Sequence, residues 1–164
     1  MTHMIVFAMP TVTGAYAMRD ALDDLRAFDL LDVKDAAVVE RHEDGAVRVR
    51  QAINLVGAGT LGGAAWGALI GLVFLSPWLG MAVGAVAGAL AGNSTDIGID
   101  DDFIREVGEG VAPGSSALFL LLDNWQESKA LRLLADFDAA IIRTTMPPDE
   151  EAQLRAFFAA AANA

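Results

Sequence analysis

The stretch LVGAGTLGGAAWGALIGLVFL, residues 55–75, is followed by Ser76 and Pro77 and then by WLGMAVGAVAGALAG, Trp78–Gly92. It lies within residues 51–95, which contain no Asp, Glu, Lys, Arg or His. Proline cannot donate a backbone hydrogen bond, and it biases the preceding residue away from helix. The pattern therefore predicts a helical hairpin of two apolar arms whose tip is formed by Ser76, Pro77 and Trp78.

Glycines recur at every fourth position along both predicted arms. In a helix this spacing places them on one face, and such stripes allow close approach of another helix. Glycine costs a helix about 1 kcal/mol relative to alanine, so a packing gain must offset so many of them. We predict that this glycine zipper mediates helix contact and self-association. Its residues are Gly59, Gly63, Gly67, Gly71, Gly80, Gly84, Gly88 and Gly92.

The surroundings of the hairpin have two interpretations. The first arm would be roughly 31 Å long, close to the hydrocarbon thickness of a bilayer, which favours membrane insertion. Arg48 and Arg50 precede it, so for an inserted hairpin the positive-inside rule predicts an inner-membrane protein with a cytoplasmic soluble part. The shorter second arm leaves open a soluble cytoplasmic assembly that buries its hairpins internally. The N-terminus lacks the basic start expected of a signal peptide.

Composition restricts the classes of function. The chain has 164 residues, 22 acidic and 11 basic side chains and a formal net charge of −11. Such acidity argues against nucleic-acid binding, which requires a basic surface. The absence of cysteine excludes disulfides and thiolate-bound metals. All 33 charged side chains fall on the 119 residues outside the hairpin, as expected for a soluble part interrupted by an insert.

The two charged parts have similar patterns. MIVFAM (Met4–Met9) and SSALFLLLD (Ser115–Asp123) are continuous apolar runs typical of strands buried on both faces. Each precedes a predicted helix and a second strand, namely VKDAAVVER and AAIIRTT. Two such split βαβ units predict an α+β, ferredoxin-like fold, with the leading strands as central neighbours in an antiparallel sheet and the helices on one face.

Several other elements complete this prediction. HEDG (42–45) suggests a turn into a strand AVRVRQA, and Thr11 or Thr13 suits the N-cap of the first helix. A short helix over IDDDFIREVGEGV should end at Gly108 or Gly110, and a C-terminal helix should begin at Pro148. The predicted organisation is residues 1–50 as the first half of the domain, 51–95 as the glycine-zipper hairpin, and 96–164 as the second half with the C-terminal helix.

The segments LSPWLGMAVGAVAGALAG, DIGIDDDFIREVGEGVAPGSSALFLLL and IIRTTMPPDEEAQL resemble a bacterial family of predicted membrane proteins, domain of unknown function twelve sixty-nine. The resemblance covers nearly the whole chain. It implies a membrane location and supplies no reaction, cofactor or catalytic residue. Trp78 departs from the smaller aliphatic residue expected at that position.

No enzymatic site is predicted. Asp96, Asp100, Asp101 and Asp102 could bind a divalent cation, but helix N-terminal charge explains them more simply. His3 and His42 are expected to be exposed and without a metal. Ser115 and Ser116 lack the pattern of a nucleophile elbow, and no P-loop or Rossmann motif accompanies the glycines. Three further candidate carboxylates, Asp123, Glu109 and Glu127, have a spacing that does not indicate catalysis.

The sequence thus predicts a non-enzymatic structural or interaction protein without a cofactor. Its expected partners are further copies of itself and a lipid membrane. The alternative is a ligand-sensing ferredoxin-like module that binds an unidentified small molecule between protomers.

Overall fold

The two most apolar runs of the chain form the central strands of one antiparallel sheet. The computed structural model describes residues 2–51, 69–71, 73–74, 101–125 and 129–163. Strand β1, His3–Met9, pairs antiparallel with β4, Ser115–Leu122, with Ile5 opposite Leu120. Every residue of β4 is buried, which is why this segment has no polar alternation. The prediction that these two strands are central neighbours is confirmed.

Three further strands extend this pair. Strand β2, Val33–Arg41, pairs antiparallel with β4, and β5, Ala140–Thr144, pairs antiparallel with β1. Strand β3, Val47–Gln51, forms the predicted hairpin with β2, in which Gly45 adopts a positive φ of 86°. The five-stranded sheet has the order β3-β2-β4-β1-β5. The molecule is therefore α+β, and β3 is an edge strand immediately before residue 52.

One face of the sheet is covered by helix α1, Gly14–Ala27, a 3₁₀ helix, Lys129–Asp136, and the C-terminal helix α3, Pro148–Ala162. Their apolar spacing brings Met18, Leu22 and Leu25 of α1 onto the sheet. Residues of all three helices share this first core with alternate residues of the strands. Its largest fully buried strand side chains are Ile5, Phe7, Leu118, Leu120 and Leu122.

The opposite face of the sheet is covered as well. Helix α2, Asp101–Gly110, contributes Phe103 and Val107 to a second core. Helical residues 69–71, 73 and 74 of the predicted hairpin contribute Leu69, Ile70 and Val73. The expectation of helices on one face only is therefore wrong. Strands that are apolar at every position must bury both faces, so the second face needs a cover of its own. The strand members of this core are Met4, Val6, Ala37, Val39, Ala117, Phe119 and Leu121.

Helix α1 begins through a contact that its own sequence does not supply. Thr13 occupies the N-cap position, but its side chain makes no capping hydrogen bond. Instead the buried Ser116 hydroxyl of β4 accepts a hydrogen bond from the Ala15 N–H at 3.0 Å and donates one to the Thr11 carbonyl at 2.7 Å. The first turn of the helix is thus held by the adjacent strand.

Candidate functional site

Most of the predicted site lies outside the described residues. This applies to seven glycines of the zipper and to the whole tip, Gly59, Gly63, Gly67, Gly80, Gly84, Gly88, Gly92, Ser76, Pro77 and Trp78. Gly71 is described, and it is helical and half-buried. The site that the structure offers is therefore the turn around Gly71 and the surface on which this turn lies.

Helical residues 69–71, 73 and 74 lie at the second core. Leu69 is 5% exposed, Ile70 2% and Val73 9%, and Phe74 packs against the same cluster. The same cluster includes Val107 of α2 and Phe119 of β4. We call the five residues 69–71, 73 and 74 the docked turn and the surface beneath it the seat. The docked turn is bound to the α+β domain by apolar burial.

Gly108 allows the docked turn to approach helix α2 closely. A Cβ built on Gly108 would lie 2.6 Å from the carbonyl oxygen of Val73 and 3.9 Å from its Cγ1. The first distance is far below van der Waals contact and involves backbone, which cannot rotate away. Glycine is therefore required at residue 108 for this packing, and α2 continues through it to Gly110, one of the two predicted ends.

Arg41 joins the sheet, α2 and the docked turn. Its Nη1 donates to the Gly108 carbonyl at 3.2 Å and to the Val111 carbonyl, near the end of α2 where helical carbonyls lack partners. Its guanidinium carbon lies 5.5 Å from the centre of the Phe74 ring, in the range of a cation–π contact. The Arg41 carbonyl accepts from the Gly114 N–H at 2.7 Å, which fixes the end of β2 against the turn before β4.

The docked turn has two different faces. At 3.6 residues per turn, Gly71 points about 150° away from the mean direction of Leu69, Ile70 and Val73. Burial agrees with this geometry, because those three side chains are buried and Gly71 is half-buried. The side of the turn that contacts the sheet is consequently aliphatic, and the glycine is on the other side.

A polar cluster lies at the same end of β2 but on the opposite face of the sheet. Tyr16 of α1 donates its hydroxyl proton to Glu40 at 2.5 Å, and the other Glu40 oxygen lies 3.0 Å from His42 Nε2. Arg19 covers the Tyr16 ring, with its guanidinium carbon 4.9 Å from the ring centre. Arg48 of β3 pairs with Glu40 in the strand register. These contacts tie α1 to the β2–β3 hairpin.

In this cluster the pKa of Glu40 is lowered and the pKa of Tyr16 is raised. The Tyr16 hydrogen bond is the largest cause that lowers the pKa of Glu40, and the contact with His42 adds to it against the opposing effect of burial. Burial, followed by the hydrogen bond to Glu40, raises the pKa of Tyr16. A phenol that is held protonated is a poor nucleophile, so the arrangement is typical of a structural contact.

The two histidines are less exposed than expected. His3 is buried, with 7% of its surface exposed, and its Nε2 lies 3.5 Å from Glu150 of α3. His42 is half-buried beside Glu40. The prediction of exposed histidines is therefore wrong, because strand β1 begins at His3 beneath the first turn of α3 and the Glu40 carboxylate holds His42.

The predicted aspartates and serines have structural environments. Helix α2 begins at Asp101, and Asp102 forms an i,i+3 ion pair with Arg105 at 2.9 Å, whereas Asp96 and Asp100 lie outside the described residues. Ser116 caps α1, and the Ser115 hydroxyl donates to the Ala112 carbonyl.

The remaining carboxylates are dispersed. Glu109 is exposed, Asp123 lies 3.7 Å from the Lys34 ammonium, and Glu127 lies outside the described residues. Across the part of the chain that the structure describes, no three His, Asp or Glu side chains are grouped as a metal site. Over the same residues no helix has both the length and the apolar character that crossing a bilayer demands.

Sequence reasoning missed Arg41 and Gly108. Each of the two residues nevertheless stands in a sequence pattern that could have identified it. Arg41 follows Val39 by two positions in β2, so strand alternation already placed it on the same face as the second core. An isolated glycine inside a helical pattern often marks a close approach as well as a helix end, and Gly108 was interpreted only as a helix end.

These observations define a class of protein: an antiparallel α+β domain with a helical turn packed on the second face of its sheet. The family described as "Protein of unknown function (DUF1269)" matches residues 60–159, more than half of the chain. The chain belongs to this family. No curated protein and no solved structure matches the sequence significantly.

Proposed function

We propose that this protein is a non-enzymatic interaction protein whose α+β domain presents a glycine-rich helical hairpin for self-association. The observation that carries the proposal is the two-faced docked turn. Its aliphatic face is occupied by the sheet, and Gly71 points away from that contact. A helix held in this way presents its small residues to another helix, which is the arrangement that glycine-mediated packing requires.

The spacing of the glycines extends this argument beyond the described turn. A four-residue step in a helix returns to within about 40° of the same direction. Gly67 is one such step from Gly71 and Gly63 is two steps, or about 80°, away. We therefore expect these glycines to form one stripe that winds slowly around the helix, and the glycines of the second arm, from Gly80 to Gly92, to form the complementary stripe. Close backbone approach along such a seam gains dispersion and Cα–H···O contacts.

We also propose that the domain carrying the hairpin is ferredoxin-like, with one added strand. Strands β2, β4, β1 and β5 are adjacent in that order and antiparallel, and β1–α1–β2 and β4–3₁₀–β5 are the two split units. Strand β3 adds a fifth strand at the β2 edge. This order supports assigning the chain to the ferredoxin-like class, with the hairpin inserted between the two halves.

The apolar contacts of the docked turn favour a protein environment for the hairpin. Leu69, Ile70 and Val73 are within the predicted first arm, and their burial against the sheet removes them from contact with lipid. We accordingly propose a soluble cytoplasmic assembly that buries its hairpins internally. An inner-membrane hairpin, with the same sequence signature, is the alternative outcome of the experiment below.

Paired glycine substitutions test self-association. Replacing Gly63 and Gly67 together by Leu keeps the segment apolar and raises helix propensity, so hydropathy alone predicts unchanged or better behaviour. Packing predicts the reverse, because each added side chain separates the backbones at a cost of about 1–3 kcal/mol. We expect a lower oligomer mass by size exclusion with light scattering. Leu72→Ala is the control, since helical spacing directs this side chain away from those glycines.

The same measurement distinguishes protein from lipid surroundings. A detergent-free lysate should yield the full-length chain as a soluble oligomer, and carbonate washing of membranes should leave little protein behind. If washed membranes retain the protein and only detergent releases it, the hairpin is inserted in the membrane and the proposed soluble assembly is wrong. An unchanged mass for the glycine doublet would remove the support for self-association in either environment.

A further inference from the structure

Gly108 and Arg41 hold the docked turn although neither belongs to the predicted hairpin. Gly108 leaves room for the Val73 carbonyl, which comes within 2.6 Å of a Cβ built on this residue. Arg41 bonds the carbonyls of Gly108 and Val111 and covers the Phe74 ring.

These contacts fix the rotation of the turn about its own axis. Apolar burial alone is non-directional, so Leu69, Ile70 and Val73 could tolerate some rotation on a sheet face. A backbone carbonyl packed over a glycine permits little rotation or shift, because interiors are close-packed. The Phe74 ring beneath the Arg41 guanidinium adds a second fixed point one residue further along. The position of Gly71 on the far side of the turn follows from this orientation.

We propose that Gly108 and Arg41 are positioning residues for self-association: they set which face of the hairpin is presented to a second copy of this chain, without touching that copy. The inference rests on the proposed self-association through the glycine face. In addition, Gly108 near the end of α2 and Arg41 at the end of β2 together determine the geometry of the assembly.

Gly108→Ala is the direct test. Alanine improves the helix propensity of α2, but its methyl group would meet the Val73 carbonyl and displace the docked turn. We expect hydrogen exchange of a peptide covering residues 69–74 to accelerate by on the order of tenfold or more. We also expect a lower or more heterogeneous oligomer mass, with the far-UV circular dichroism of the full-length protein unchanged.

Gly110→Ala provides the matched control in the same helix. Its added Cβ would meet side-chain atoms of Ile142, the nearest at 3.1 Å, and none of the docked turn. Exchange in residues 69–74 and the oligomer mass should both stay as in the wild type. Arg41→Met, which keeps an apolar stem but removes the donors and the cation, should reproduce the Gly108→Ala result in weaker form.

The outcomes separate this inference from the proposed function. If the Gly63/Gly67 doublet lowers the mass while Gly108→Ala accelerates exchange but leaves the mass unchanged, self-association stands and the positioning role is wrong. Unchanged exchange and mass in Gly108→Ala also overturn the positioning role. If the doublet itself has no effect on mass, the proposed function fails, and the inference fails with it.

Discussion

At the scale of single residues, the polar side chains with the most contacts are used to fasten elements to one another. Ser116 joins β4 to the first turn of α1, and Glu40 joins the end of β2 to Tyr16 and His42. Buried polar groups are costly unless they are paired, so losing one partner costs more than losing an exposed contact. Two predictions follow from these contacts.

Ser116→Ala should destabilise the protein. The substitution leaves the buried Ala15 N–H without the Ser116 acceptor, whereas the Thr11 carbonyl keeps its bond from the Gly14 N–H, and we expect a loss of about 1–3 kcal/mol in the free energy of unfolding. Thr13→Ala is the control, because Thr13 occupies the N-cap position without a side-chain bond, and it should cost less. Urea denaturation measures both. Equal losses in the two variants would contradict capping by β4.

Glu40→Gln should reduce stability in a pH-dependent way. The pKa of Glu40 is lowered from its ordinary value of 4.5, so the folded state favours the carboxylate. Its contribution is therefore present above that value and is lost as the pH falls through the lower folded-state pKa. We expect the wild type to exceed the variant by about 1–2 kcal/mol at pH 7, and by less in acid.

Urea titrations at neutral and acidic pH check this expectation for Glu40. Glu43→Gln serves as a control, since it removes an exposed carboxylate of the adjacent turn without touching the Tyr16 contact. A difference between the wild type and Glu40→Gln that does not change with pH would show that the charge of Glu40 is unimportant.

At the scale of elements, the docked turn is the least expected feature. It belongs by sequence to an uncharged hairpin, but by packing it belongs to the α+β domain. Arg41 and Gly108 connect it to two elements, β2 and α2, that lie on either side of the hairpin in the sequence. A helix attached in this way should unfold together with the sheet.

Leu69→Ala tests whether the docked turn is part of the cooperative domain. Leu69 is 5% exposed, and deletion of a buried leucine typically costs about 2–5 kcal/mol. Leu133→Ala in the 3₁₀ helix makes the same chemical change at a side chain that is 52% exposed, and we expect less than about 1 kcal/mol there. Urea unfolding followed by tryptophan fluorescence measures both. A negligible cost for Leu69→Ala would place the turn outside the folded unit.

At the scale of the whole molecule, one sheet separates two cores that are built from opposite faces of the same strands. The first core is closed by α1, the 3₁₀ helix and α3, and the second by α2 and the docked turn. Removing the hairpin would therefore expose part of the second core. The charge-free insert and the charged domain form one packed structure at this contact, although their compositions differ sharply.

The sequence by itself determined the elements and much of their order. Continuous apolar runs identified β1 and β4 as central strands because only strands buried on both faces lack polar alternation. The bounds of β2 and the start of α3 followed from strand composition and Pro148, and α2 falls within the segment IDDDFIREVGEGV that was predicted as a helix. The family assignment also followed from sequence, since residues 60–159 carry its pattern.

Only the tertiary structure decided what covers each face of the sheet and which side chains meet there. Periodicity shows that a residue is buried, but it carries no information about its partner. The seat combines Arg41, Val73 and Gly108, whose contacts span 67 residues between Arg41 and Gly108. Ser116 likewise caps a helix that begins about a hundred residues earlier, at Gly14. Such contacts arise when the sheet brings distant segments together, and no local pattern specifies them.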